Sequence, residues 1–268
     1  MLKRLSELLR RYGWLTLQLS RREVALRYRG SLFGIAWSLI NPLVMLSVYA
    51  FVFAVVLRAR WPGVVGDLGS AAYVVMLFSG LVTHGFLAEC LTRAPLQIVG
   101  NVNFVKKVVF PLPVIAIAQM GAAGFHLCVN LLVLIVFHVI FFGPPPPTIV
   151  LVPMVLLPLG AIGLGLMWAV SAFTVYFRDL GQMVGVVSTL LLFLSPALYP
   201  LEQVPPEFSR FLSLNPLTPA IEGLRAVAIH GQLPDFGDWG VFALVGMLVL
   251  GAGWLCFSRL QKGFADVL

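Results

Sequence analysis

The chain has 268 residues, 60% of them hydrophobic and only 11% charged. That leaves too few polar side chains to coat a water-soluble globule, so the class that remains is a multi-span membrane protein. The net charge of +7 does not argue for nucleic acid, because the basic residues fall in short stretches between apolar runs, the pattern of positive-inside topology.

From Leu2 to Leu19 the apolar residues Leu2, Leu5, Leu9, Tyr12 and Leu19 recur at helical spacing, with Arg4, Glu7 and Arg11 on the other side. This predicts an interfacial amphipathic helix with Trp14 at headgroup depth. Glu7, Arg10, Arg11 and Gln18 interrupt any signal-peptide core, so this segment is expected to be retained. A basic stretch carrying Arg21, Arg22, Arg27 and Arg29 follows and crosses at Gly30-Ser31 into apolar sequence.

A hydrocarbon core about 30 Å thick needs roughly 20 apolar residues per helix. Six stretches qualify: Phe33 to Leu57, Tyr73 to Cys90, Val114 to Phe142, Thr148 to Val175, Met183 to Leu198, and Trp239 to Phe257. The fifth is short, and the third and fourth are long enough to tilt or protrude. With the amino terminus inside, fourteen Lys and Arg fall on the cytoplasmic side and four, Arg58, Arg60, Arg210 and Arg225, outside. The split predicts both termini in the cytoplasm.

Two connections are more than turns. Arg93 to Pro113, with Gly100-Asn101 in its middle, Lys106-Lys107 near its end, and Pro111 and Pro113 suited to opening a helix, reads as a cytoplasmic docking loop. Ser195 to Asp238 is rich in proline and its apolar pieces are too short to span. Thr218 is suited to cap a helix begun by Pro219, and Gly231 to stop it, so paired short helices dipping into the membrane from outside are expected. Gly143-Pro144-Pro145-Pro146-Pro147, uncharged and stiff in polyproline form, is expected to make a tight outer turn.

Few residues suit chemistry. No Gly is followed by Lys, so the chain has no standard phosphate-binding loop for ATP. The ionisable groups within spans are Glu89, His84, His126 and His138. Glu89 is expected to pair with Arg93 one helical turn on, and the histidines to be neutral, lacking carboxylate support. Cys90, Cys128 and Cys256 lack metal or redox-pair spacing and read as small hydrophobes. Arg178-Asp179 is a compact acid–base pair expected to tie two helices together. An intramembrane enzyme using Glu89 or Asp179 as acid or base is the reading from a different functional class. The aromatics are more numerous: Trp37, Tyr49, Phe51 and Phe53 on the first span, Tyr73, Phe78 and Phe86 on the second, Phe193 and Tyr199 at or beyond the fifth. Aromatic faces hold sugar rings through their C–H faces without a site strong enough to halt movement, and they also pack against lipid.

Arg27-Tyr28-Arg29-Gly30-Ser31, then Gly34, Trp37 and Asn41-Pro42, resemble the entry to the first span in permeases of ABC type-2 polysaccharide exporters. Tyr176-Phe177-Arg178-Asp179-Leu180, Asn215-Pro216 and Phe264-Ala265-Asp266 fit the same pattern, and the likeness covers essentially the whole chain. The resemblance implies an all-α membrane protein in the bacterial inner membrane, one transmembrane domain over residues 1–268. Within it, 1–32 would be an interfacial region, 33–258 a six-span core with periplasmic re-entrant helices between spans five and six, and 259–268 a cytoplasmic tail.

It further implies a homodimer working with two ATP-binding subunits, which would hold the ATP and Mg, while this chain carries no cofactor and catalyses no step. The cargo would be an O-antigen polysaccharide on undecaprenyl diphosphate; capsule, teichoic acid or a small hydrophobic molecule are the related alternatives. The pore would run along spans one, two and five, with Trp37, Tyr49, Phe53, Tyr73, Phe78, Phe86, Phe193 and Tyr199 as its aromatics. Arg27 and Arg29, helped by Arg21 and Arg22, would receive the diphosphate, and Arg93, Gly100, Asn101, Lys106 and Lys107 would dock the ATPase.

Overall fold

The computed structural model describes residues 2–59, 61–62, 68–106 and 110–268, with backbone alone at 2–6, 8–9, 68 and 209–210. Every regular element among them is helical. Helix α1 (Leu2–Tyr28) is longer than expected, one helix of about 40 Å at 1.5 Å per residue. It absorbs the basic stretch instead of stopping at Leu19. Its end is made by Gly30, at φ +82°, a left-handed conformation that favours glycine, while Ser31 Oγ donates to the Tyr28 carbonyl at 2.8 Å. Trp14 is exposed, and α1 buries Val24 and Tyr28 against Ala122.

The chain then turns into span one, Gly34–Val56, made of a 3-10 turn, α2 (Trp37–Tyr49) with Pro42 inside it, and a π-turn Ala50–Val56. Proline removes one backbone donor and the π-turn widens the helix, so this span is irregular twice. It is also the least enclosed of the five long spans. Val44, Met45, Phe51 and Val55 all stand exposed on it.

Span two, α3 (Leu68–Arg93), is the most enclosed. It is followed by two short helices, α4 (Leu96–Val99) and α5 (Val102–Lys106), within the expected docking loop. A Cβ on Gly100 would lie 2.6 Å from the Leu96 carbonyl oxygen, which makes glycine the residue for the joint between them. Lys107 lies outside the described residues. Helix α6 (Pro113–Phe142) begins on a proline and ends at Gly143, φ +86°. A 3-10 turn over Pro147–Leu151 leads into α7 (Val152–Tyr176).

Helix α8 (Leu180–Phe193) is the short fifth apolar segment; fourteen residues reach about 21 Å, less than a hydrocarbon core. Five helices among the described residues are therefore long and apolar enough to cross a bilayer, with α8 as a shorter sixth. Past it come α9 (Pro206–Ser213) and α10 (Leu217–Arg225), which runs on as a π-turn to His230 and is stopped by Gly231 at φ +70°, as expected. Helix α11 (Phe236–Leu260) is N-capped by Asp235, and α12 (Phe264–Val267) closes the chain.

Glycine fuses the widest helix pair. A Cβ on Gly253 of α11 would fall on the Gly165 carbonyl of α7, and one on Gly246 would lie 2.8 Å from the Pro158 oxygen. Small residues let two backbones touch where lipid gives no hydrophobic drive for association. Trp168 fills the space beside them, edge-on to Trp254, and donates to the Pro113 carbonyl at 3.2 Å. At the end carrying α1, α4, α5 and α12, called here the basic end, the tie between helices is not Arg178-Asp179. Tyr176 donates to the Leu260 carbonyl at 2.9 Å instead, and Phe264 is fully buried against Phe257.

At the far end, the segment after α8 lies directly on α3: a Cβ on Gly80 would sit 2.5 Å from the Ala197 Cα. Thr218 does not cap α10. Its hydroxyl donates to the Leu212 carbonyl at 2.5 Å, and Asn215 does the capping, accepting from the Leu217 N–H at 3.0 Å while its amide donates to the Leu194 carbonyl at 2.9 Å. One side chain thus closes the end of α8 and the start of α10 together.

Candidate functional site

Where α1 ends, a cavity of about 330 Å³ opens between the tip of α1, span one, α3 and α6. One end of it is polar. Arg27 Nη1 donates to Glu89 Oε1 at 2.6 Å, and His126 Nδ1 lies 2.9 and 3.0 Å from the two Glu89 oxygens. Tyr28 Oη is 3.0 Å from His126 Nε2. The expected Glu89–Arg93 pair is replaced by partners 62 and 37 residues away, and His126 does have a carboxylate beside it. The reason is geometric: α1 packs on α6 and α6 on α3, which brings donors from both helices to Glu89, while Arg93 stays exposed at the helix end.

The contacts place a proton on Nδ1. Arg27 Nη1 also lies 3.0 Å from His126 Nδ1, but an arginine only donates and a carboxylate only accepts. A bare Nδ1 would face the lone pairs of both Glu89 oxygens. Nδ1–H donates to Glu89, and the Tyr28 hydroxyl, able to donate or accept, pairs with Nε2. Burial pushes the Tyr28 phenol above its usual range.

The remaining walls are apolar and aromatic. Trp37 and Tyr49 of span one and Phe78 and Phe86 of α3 line the cavity, with Asn41 and Asn130 as polar points. Beyond Tyr49 the rings continue as a ladder. Tyr49 and Phe53 have centroids 6.4 Å apart, Phe53 stacks on Tyr73 at 5.5 Å, Trp61 meets Tyr73 edge-on at 5.7 Å, and Arg225 lies over the Trp61 ring at 4.7 Å. Tyr73 also donates to the Leu198 carbonyl at 2.8 Å.

The structure thus gathers Arg27, Trp37, Tyr49, Phe78 and Phe86 in one cavity and sets Phe53 and Tyr73 in the ladder next to it. Phe193 and Tyr199 do not line it; they sit at the end of α8, where Tyr199 donates to the Phe193 carbonyl at 2.9 Å. Helix α6, not α8, supplies the third wall. Arg21, Arg22 and Arg29 are exposed and outside the cavity, Arg22 making a loose 4.0 Å contact with Glu23.

In the segment expected to dock an ATPase, Arg93, Gly100 and Lys106 are exposed, and Asn101 donates to the Gln97 carbonyl at 2.9 Å, bracing the α4–α5 joint. The residues that sequence reasoning missed at these sites are Trp61, Arg225 and the role of His126. A lone His in an apolar run carries no local signal of its partner.

The family profile described as ABC-2 type transporter matches residues 15–229. Among characterised proteins, an O-antigen export system permease protein RfbA of Klebsiella pneumoniae is 26% identical over 251 residues, 93% of each chain. A protein of the same name from Myxococcus xanthus is 28% identical over 265 residues, 98% of each. The match takes in α1 from Leu15 onward, all of the residues lining the cavity and the segment carrying α4 and α5, and this chain belongs to the ABC-2 type transporter family.

Proposed function

We propose that this chain is the membrane subunit of an ATP-driven exporter that moves a polysaccharide, built on a polyprenyl diphosphate of the undecaprenyl type, across the bacterial inner membrane. The single observation that carries the reading is the cavity itself. An arginine stands at its polar end and aromatic rings line the rest, continuing as a ladder along spans one and two. A guanidinium matches phosphate oxygens, and ring faces match the apolar faces of sugars. The likeness to permeases named for O-antigen export, spread over nearly the full length, supports a surface polysaccharide as the cargo.

Energy arrives from separate subunits that bind ATP and Mg²⁺ and press on α4 and α5. The basic end faces the cytoplasm, and α9 and α10 dip in from the opposite side. Arg225, on α10, reaches the Met76 carbonyl, about 12 Å along α3 from its start at Leu68. Helix α8 completes a sixth crossing with the segment that follows it, and the exposed apolar face of span one meets a second copy. The test is genetic. Deleting the chain should abolish surface polysaccharide while its lipid-linked precursor accumulates inside; normal display of that polymer by the deletion strain would overturn the proposal.

A further inference from the structure

We propose that Glu89 is a built-in rival for the cargo: the phosphate oxygens of a polyprenyl diphosphate replace the Glu89 carboxylate on Arg27, and Glu89 falls back on His126. This rests on the function proposed above and assigns the anion-receiving step to one exchange.

The geometry favours exchange at Arg27 over simple binding elsewhere. The Arg27 side chain is 38% exposed and Glu89 only 17%, so the cation is the member of the pair an arriving anion meets. Its bonds within the protein use Nη1 alone, which leaves Nε and Nη2 without a described partner. Two parallel N–H donors on one guanidinium edge suit a phosphate held in bidentate fashion. Glu89, for its part, does not become an orphan when Arg27 turns away. The His126 Nδ1–H still reaches both of its oxygens, and His126 is itself fixed by Tyr28. Removing one partner of a buried pair is costly when a bare charge is left behind; here a second donor already stands in place.

The exchange also sets the strength of binding. With Glu89 beside it, Arg27 is a neutralised receptor, and a bound phosphate feels the carboxylate's repulsion at close range. Both effects weaken the hold on the headgroup. A passenger that must leave needs that weakness, since a receptor of bare arginine would retain it.

The test uses the intact complex of this chain with its ATP-binding subunit in lipid nanodiscs and two probes, undecaprenyl diphosphate without glycan and inorganic pyrophosphate. Glu89→Gln should bind undecaprenyl diphosphate at least tenfold tighter and export more slowly. Glu89→Asp, which keeps the charge but draws it back from Arg27, should shift affinity in the same direction by less. His126→Ala removes the fallback and should weaken binding. In an Arg27→Gln background all three effects should vanish. Tightening with both probes supports exchange driven by the headgroup alone, and tightening only with the lipid supports exchange that also needs the polyprenyl chain. Equal or weaker binding by both Glu89 variants, or changes of one sign at Glu89 and His126, would overturn the proposal. Because these probes carry no sugar, the exchange can hold even if the exported cargo proves to be another molecule, and it can fail while polysaccharide export stands.

Discussion

Arg225 is almost fully buried, and every part of its head group is engaged. Nη2 donates to the Met76 carbonyl at 2.9 Å, Nε to Ser79 Oγ at 3.2 Å and Nη1 to Glu222 at 2.8 Å, with the Trp61 ring over its face. Arg225→Ala strips partners from a carbonyl and a hydroxyl in the core, and should cost about 2–4 kcal/mol, read as a lowered midpoint of thermal unfolding in detergent. Arg225→Lys keeps the charge but not the planar fork, and should recover only part of that loss. Little of this was legible beforehand. A rule of charge distribution puts Arg225 outside, but its partners on α3 are nearly 150 residues away in the chain, and no local spacing encodes them. The same holds for Glu89, where Arg93 one turn away is the natural guess and Arg27 is the actual partner. Asn215 was visible as part of a motif with Pro216, whereas its double capping role needed the end of α8 to be in place.

At the scale of elements, apolar length carried the reading well. Four of the long spans begin and end within a few residues of the apolar runs that announced them, α3 starting somewhat earlier than Tyr73, and the shortness of α8 follows from the run itself. Helix α1 broke the expectation because its basic half lies in a region where helix propensity, not hydropathy, decides, and only the glycine at position 30 ends it. Gly30→Ala should therefore strain the turn into span one by about 1 kcal/mol and loosen the placement of Arg27, measured as weaker diphosphate binding with normal membrane insertion. Gly253→Val places a branched side chain where α7 and α11 have backbone contact. Packed helices do not separate in small steps, so that variant should insert but fail to form a stable complex, seen as loss of a monodisperse peak on size exclusion. Gly85, with open space around its Cβ position, is the matched control, and Gly85→Ala should retain the peak.

At the scale of the whole molecule, the polar cluster at Arg27 and the aromatic ladder meet on span one. Span one is mostly uncovered, yet it contributes Trp37 and Tyr49 to the cavity and Phe53 to the ladder, so the face that carries the site borders an exposed apolar face. The proposed topology predicts that a cysteine at Arg29 is labelled by a membrane-impermeant thiol reagent only after the inner membrane is opened. A cysteine at Arg58 should be labelled from the periplasm, both in a chain lacking Cys128, the exposed native thiol. The reverse pattern would invert the protein and contradict the proposed topology.

The most direct measurement is transport by the purified chain and its ATP-binding subunit in proteoliposomes loaded with undecaprenyl diphosphate-linked polysaccharide. The glycan should become accessible on the opposite leaflet only when ATP and Mg²⁺ are supplied, and Arg27→Gln should lower this rate at least tenfold with ATP hydrolysis retained. Glycan crossing at the full rate without nucleotide, or at an unchanged rate in Arg27→Gln, would contradict the proposed function.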